Sequence, residues 1–388
     1  MPDTTFVFPN DPQVTWSIMI VLYPYLSGLV AGTFVVSAFY YGLHFEVLKP
    51  VARLALTTSL CFSLFATLPL LLHLHHPERA FNVVITPSAT SAMAVFGFVY
   101  SVYMLLLTVE IWLVFRPSIV ERANSRRGAA KLFYRALSLS VQNSDGGRAV
   151  DAKVVRLLAL LGIPVACLLS GYVGFLFRAI KGNPWWSTSL MPVIFLVSAM
   201  ASGIAALVVL YIMICWCRGV VPDARCVRSL CRCLWIFLVV AVSLELLDIG
   251  HMAYESGSQW GVIATLLKEH LAVSYGLVQL VIGSIVPFFL LLAAFLPKFK
   301  PRLMTVLGGT AALLVLVQVF AMRWNVVVGG QLFSKSFRGF VEYSVPWTGR
   351  EGLIAAGVVL LLPLLTLWAA ANVLPLWDGS NVSKSLHD

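Results

Sequence analysis

The sequence predicts an all-α, polytopic membrane protein of about nine transmembrane helices, with its N-terminus outside and its C-terminus inside. Three observations carry this. The 388 residues are 60% hydrophobic and 11% charged, with a mean hydropathy of +0.90. Twenty-seven basic and 17 acidic side chains are too few to cover a water-facing surface of that size. Apolar runs of roughly 20 residues, enough for one bilayer crossing, recur along the whole chain. Lys and Arg, finally, are shared unequally between the connections. Together these exclude a soluble enzyme, a disordered regulator and a secreted disulfide scaffold.

The runs fall at about 16–43, 51–74, 90–115, 154–178, 188–217, 230–253, 271–296, 301–322 and 352–377. The first begins at Trp16 and the last ends near Trp377, aromatic residues of the kind that settle at membrane interfaces. The ninth is apolar enough to count despite Pro363. Met1 to Thr15 holds no Lys or Arg and no apolar core, so no cleavable signal peptide is expected ahead of the first span. All 388 residues read as one integral membrane domain, with spans one to five over 16–217 and spans six to nine over 230–377.

An odd number of spans puts the termini on opposite sides. With the N-terminus outside, the inside segments hold 19 Lys and Arg and the outside segments 8. The net charge of +10 is therefore topological, and no nucleic-acid partner is expected. The basic inside loop 116–153 reads as a solvated connector with one amphipathic surface helix. The outside loop 323–351 mixes aromatics with Arg and Gly, which suits packing against an external subunit or against the chain itself.

Ionisable groups inside spans are costly, so each is a candidate functional residue. Span six carries SLELLDIGHMAYE, with Glu245, Asp248 and His251 at i, i+3 and i+6 on one broad side of a helix. His251 lies near the outer interface, and Asp248 and Glu245 lie deeper by ~4.5 Å per step. Span two ends outside in His73, His75, His76, Glu78 and Arg79, and span seven begins outside with Glu269, His270 and Tyr275. Span one offers Tyr23 and Tyr25 around Pro24. Taken singly, His75, His76 and His270 are interfacial residues that meet headgroups and water. His73, His251 and Asp248 together point further. Titratable imidazole and carboxylate beside tyrosine hydroxyls at one membrane face can bind the oxygens of a quinone and move its protons.

Two competing readings use the same residues. A proton-coupled transporter would bury its charges near the midplane at broken helices. A cytochrome b-like subunit would hold haem between histidines, with His73 opposite His251 or His270. Glu110 stands apart, one to two turns before Arg116 near the inner face. It is either a snorkelling carboxylate beside the basic loop or the inner mouth of a proton route toward Glu245 and Asp248. Five cysteines lie between Cys215 and Cys233 without the C-x2-C spacing of common zinc and iron–sulfur sites, so free thiols and no metal site are expected.

Several segments together resemble the NrfD/PsrC family, the membrane subunits of polysulfide reductase-like respiratory complexes. Tyr23 to Phe34, YPYLSGLVAGTF, is similar to the family's first helix with its paired glycines, here Gly28 and Gly32. His75 to Tyr100 is similar to its proline–arginine loop and the helix start that follows. Asn183 to Ala205 matches a W-x3-P-F-x2-S-x3-G pattern through Trp186, Pro192, Phe195, Ser198 and Gly203. Gly283 with Pro287, and Arg323 with Asn325 and Gln331, match later features, so the likeness covers nearly the whole chain. One stretch departs. Where many members carry an acid in D-L-G-x-P-x-R, this chain has His73.

The resemblance implies two four-helix bundles plus an extra helix in a bacterial or archaeal cytoplasmic membrane. It implies menaquinone or ubiquinone as bound substrate, with no haem or iron–sulfur cluster in this chain. The implied partners are a periplasmic [4Fe-4S] ferredoxin-like subunit and a molybdenum or multihaem subunit beyond it. Some relatives are proposed to translocate protons. The expected quinone contacts are Tyr23, Tyr25, His73, Arg79 and His251, with Asp248, His251 and His73 as the reactive groups. Glu245, Asp248 and Glu110 form the expected proton path.

Overall fold

A computed structural model describes residues 14–376 apart from 87, 89, 126, 139–144, 256, 258, 296–298 and 334–338. The expected interfacial Trp377 and the inside charge Lys384 lie outside the described residues, as does the stretch before Val14. Among the described residues there is no β-strand, and a single bridge joins Phe333 to Phe340. Nine of the described helices are long and apolar enough to cross a membrane, the number that the apolar runs predict.

Helix α1, Ile18–Tyr41, starts on Ser17, whose hydroxyl accepts the Met19 N–H at 3.3 Å. It is apolar all round and buried along most of its length, as a central helix must be. Helix α2, Lys49–Ala66, breaks at Thr67 and resumes as Leu68–His73. Pro69 explains the break, because a proline has no N–H to give and disfavours helical geometry in the residue before it. Then follow α3, Ala92–Ser125, α4, Asp145–Arg178, and α5, Met191–Cys217. Helix α6 is Ala224–Glu255. Helix α7 is wound in two ways: Ala272–Ile285 is π-helical, and Val286–Ala294 is an ordinary α-helix. Helix α8 is Pro301–Val327 and α9 is Leu353–Val373.

The π winding is already present in Leu266–His270, just ahead of α7. Such wide turns are rare and concentrate where a helix must present side chains to a site.

Helix α1 packs on α2, α4 and α5, and α3 lies along α4. Helices α6, α7 and α8 pack on one another, and α5 touches both groups. Small residues allow the closest crossing. A Cβ on Gly32 would stand 2.4 Å from the Ala199 carbonyl and 2.8 Å from the Gly203 Cα, so α1 and α5 meet backbone to backbone. At the C-terminal end of α8 a second seam closes. The Gln331 carboxamide accepts the Trp16 N–H at 2.9 Å and donates to the Trp16 carbonyl at 3.2 Å. Trp16 stacks on Trp186 at 4.9 Å, and the Trp186 indole donates to the Val326 carbonyl at 2.6 Å.

Two boundaries differ from the hydropathy reading. The basic stretch 116–153 is largely helical: α3 runs on to Ser125, α4 starts at Asp145, and Ala129–Ser138 is the surface helix. Arg116 and Asp151 pair at 2.7 Å across the overhang, which lets both helices continue past the apolar run. Arg323, which hydropathy puts first in the outside loop, lies inside α8 and is 1% exposed. Its guanidinium sits 3.7 Å over the Phe195 ring and donates to the Ser198 hydroxyl at 2.8 Å. The connection from α8 to α9 thus begins after Gln331, and its entry packs against this chain, where the Asn183 side chain donates to the Gly330 carbonyl at 2.6 Å.

Candidate functional site

Glu245 and Asp248 are one helical turn apart on α6, and both are buried, at 6% and 8% exposure. They line a narrow, partly open cavity of about 40 Å³, room for a few waters. The wide winding of α7 and the face of α8 bring amides to the same place. Gln279 Nε2 donates to Glu245 Oε2 at 2.7 Å, and Gln318 Nε2 reaches Oε1 at 3.4 Å. Asn325 Nδ2 donates to Gln279 Oε1 at 2.7 Å. Gly283 makes this convergence possible, since a Cβ there would lie 2.5 Å from Gln318 Cβ. The Ser284 hydroxyl donates to the Gln279 carbonyl at 2.8 Å, which fixes the π-helical turn that carries the amide.

The rest of the wall is apolar and adaptable. Met191, Met252 and Met322 line it together with Trp185 and Tyr275. Methionine has three rotatable bonds and no branch, so such a wall can repack, as it would have to for a flat ring to enter. The Tyr275 hydroxyl and Asn325 Oδ1 are buried and make no hydrogen bond among the described residues. The cavity therefore holds two acids, an oriented amide chain and two polar atoms able to meet an incoming oxygen.

The other expected site residues go elsewhere. His73 Nδ1 is 3.0 Å from Glu351 Oε1, at the foot of α9. Tyr23 is buried edge-on to Phe96 at 5.4 Å, and its hydroxyl has no partner among the described residues. Tyr25 packs edge-on to Phe320 at 5.4 Å. Arg79 is exposed in the short helix Pro77–Phe81. His251 is 68% exposed and lies 3.7 Å from Glu255. His270 stacks on Phe340 at 4.3 Å. The described histidines thus face different neighbours, and the constellation of His73, Tyr23, His251 and Asp248 is not assembled around one cavity. Glu110 is 0% exposed in α3, within the other helix group, and neither of its oxygens makes a hydrogen bond among the described residues.

What reading for ionisable residues passes over is the amide set, Gln279, Gln318 and Asn325. The signal that could have found two of them is amides in otherwise apolar runs, VQLVIGS and LVLVQVF, which hydrocarbon tolerates poorly. All seven cysteines are free, and Cys215, Cys226 and Cys231 are buried, the first at the C-terminal end of α5 and the other two in the N-terminal part of α6.

Known proteins are similar to this sequence, one of them along most of its length. A family model described as "Polysulphide reductase, NrfD" matches residues 7–335. A selenate reductase subunit of Mesobacillus selenatarsenatis is 30% identical over 91% of this chain and 85% of its own length. A putative dimethyl sulfoxide reductase membrane subunit of Halobacterium salinarum is 27% identical over 59% of this chain and 50% of that protein. Protein NrfD of Escherichia coli is 24% identical over 50% of this chain and 58% of its own length. The last two likenesses are partial, covering little more than half of either chain.

Proposed function

This chain belongs to the NrfD polysulphide reductase family, and on that footing we propose that it is the quinone-reactive membrane subunit of a respiratory reductase complex. It sits multi-pass in a bacterial or archaeal cytoplasmic membrane, N-terminus outside. One observation carries the reading: two buried carboxylates and an amide network converge on a cavity whose remaining wall is methionine and aromatic. A quinone headgroup, menaquinone or ubiquinone, is apolar in its ring and polar at two oxygens, which is the pattern that wall and floor provide.

In the reductase direction a quinol gives up two electrons and two protons and leaves as quinone. Asp248, nearer the outer end of α6, takes a proton from the hydroxyl. Glu245, one turn deeper and held in place by Gln279 and Gln318, takes the second proton and passes it outward by way of Asp248. Tyr275 and Asn325 orient the oxygens. The electrons pass to an iron–sulfur partner subunit on the outer face, and from there to a molybdenum or multihaem subunit. His251, exposed one turn beyond Asp248, opens the proton exit to the outer water. Glu110 serves the opposite, inner end of a proton route through the α1–α4 group. The names of the relatives, subunits of a selenate reductase and of a putative dimethyl sulfoxide reductase, support a reductase assembly.

The test uses the assembled complex. Asp248→Asn and Glu245→Gln should each lower quinol-linked turnover by about 10²-fold or more, the usual contribution of a positioned acid–base group. Dye-linked turnover of the partner should stay intact, and iron–sulfur absorbance should co-purify. Unchanged quinol rates in both variants would overturn the site.

A further inference from the structure

A second, larger cavity lies at the Lys/Arg-rich end of α1–α4, and the proposal above makes no use of it. It measures about 340 Å³, within the ~300–1,000 Å³ of small-molecule sites. Its polar wall carries three cations from two elements, Lys49 and Arg53 of α2 and Arg148 of α4. The hydroxyl-bearing Tyr40 and Tyr41 stand beside them. The acids in the wall are Glu46 and Asp151, and Asp151 is already held by Arg116 at 2.7 Å. Arg53 also reaches the Pro375 carbonyl at 3.4 Å. The lining also includes the apolar Leu113, Val114 and Val155. His44 turns the chain at φ 59° just ahead of α2, and Lys49, the first residue of that helix, lines the cavity.

An independent feature fixes the membrane level here. The turn between α1 and α2 leaves Leu43, Phe45 and Val47 exposed at 47%, 54% and 46%. The surface helix Ala129–Ser138 does the same with Leu132 and Phe133, at 72% and 64%. Its Leu137 carbonyl accepts the Trp112 indole N–H at 2.8 Å, next to the cavity residue Leu113. Apolar side chains flanked by Lys131 and Arg135 belong at the boundary between headgroups and acyl chains. The cavity thus opens at headgroup depth, with a lining that is basic in part and apolar in part.

From this placement we infer that the cavity binds the phosphodiester headgroup of an anionic phospholipid of the inner leaflet. Lys49, Arg53 and Arg148 meet the phosphate, the tyrosine hydroxyls donate to its oxygens, and the first acyl carbons run along Leu113, Val114 and Val155. Basic pockets between transmembrane helices recognise anionic headgroups in this way. A free phosphate offers the same oxygens without the acyl chains.

The experiment takes the full chain in its complex, purified in detergent and stripped of lipid. It is titrated with short-chain phosphatidylglycerol or phosphatidylcholine, and bound lipid is counted by native mass spectrometry. Each cation removed should weaken phosphatidylglycerol about five-fold, so K49Q/R148Q should weaken it by about twenty-fold or more. K131Q/R135Q, which removes two cations from the neighbouring surface helix, should change it by under about two-fold because those charges are screened by solvent. Phosphatidylcholine should bind all three proteins alike. If K49Q/R148Q does not purify, R148Q alone, at an exposed position near the start of α4, should show one step of about five-fold. Equal retention of phosphatidylglycerol by wild type and variants, or equal binding of both lipids to wild type, overturns the site. Displacement of phosphatidylglycerol by millimolar inorganic phosphate assigns the cavity to a free anion and overturns the lipid.

Discussion

Glu110 and Glu245 are the same residue type, each buried in an apolar helix, and the two helix groups treat them oppositely. Glu245 accepts hydrogen bonds from Gln279 and Gln318, and Asn325 backs the first of these. Glu110 is fully enclosed, and neither oxygen is bonded by any described residue. One carboxylate is part of the packing and the other is an interruption of it. The lesson is that burial alone does not say what a charge in a membrane helix contributes. Its donors do.

Substitutions test this contrast, the most damaging first. Glu245→Leu leaves two amide donors without an acceptor and should destabilise the protein by about 2–5 kcal/mol. Thermal unfolding in detergent measures it, and an unshifted midpoint would erase the contrast. Gly283→Ala attacks the same network without touching its atoms. The added Cβ, 2.5 Å from Gln318 Cβ, pushes α7 from α8, at about 1–3 kcal/mol of overpacking. Quinol-linked turnover should fall with it. Arg323→Lys keeps the charge but loses the planar stack on Phe195 and the fit to Ser198, a loss of about 1–2 kcal/mol by the same unfolding assay. Glu110→Leu should be the mildest, neutral or stabilising by up to about 1 kcal/mol, because it removes polar atoms that bond to nothing described. If proton uptake by proteoliposomes slows while the midpoint holds, Glu110 is kept for its proton and not for the fold.

Much of this architecture was legible beforehand because the bilayer enforces it. Nine apolar runs became nine long helices, since a helix satisfies its own backbone hydrogen bonds within hydrocarbon. The ends were less legible. α3 and α4 run on into charged sequence because Arg116 and Asp151 satisfy each other there. α8 passes straight through Arg323 because Phe195 and Ser198 receive the guanidinium, something hydropathy cannot register.

The site was half legible. Glu245 and Asp248 stood out as acids one turn apart. His251, the next step of three, did not join them, because each such step falls about 60° short of a full turn and carries the residue off the face. The amides were missed because an uncharged polar group in a span reads as a mild exception. The π winding that aims Gln279 has no periodicity of its own to detect. His73 and Tyr23 failed to meet Asp248 because sharing an interface depth does not mean sharing a neighbour: His73 pairs with Glu351 and Tyr23 packs on Phe96.

The clasp of Gln331 on Trp16, with Trp186 wedged beneath it, has a mechanical consequence. It rivets the first helix to the end of the eighth at the rim where a vestibule would have to gape for a solute to be handed across. Rocking one half against the other would shear those bonds, because Trp16 and Gln331 sit on opposite halves. A body fastened so tightly fits the proposed traffic in electrons and protons, which move by hops of a few ångströms and ask only side chains to swing.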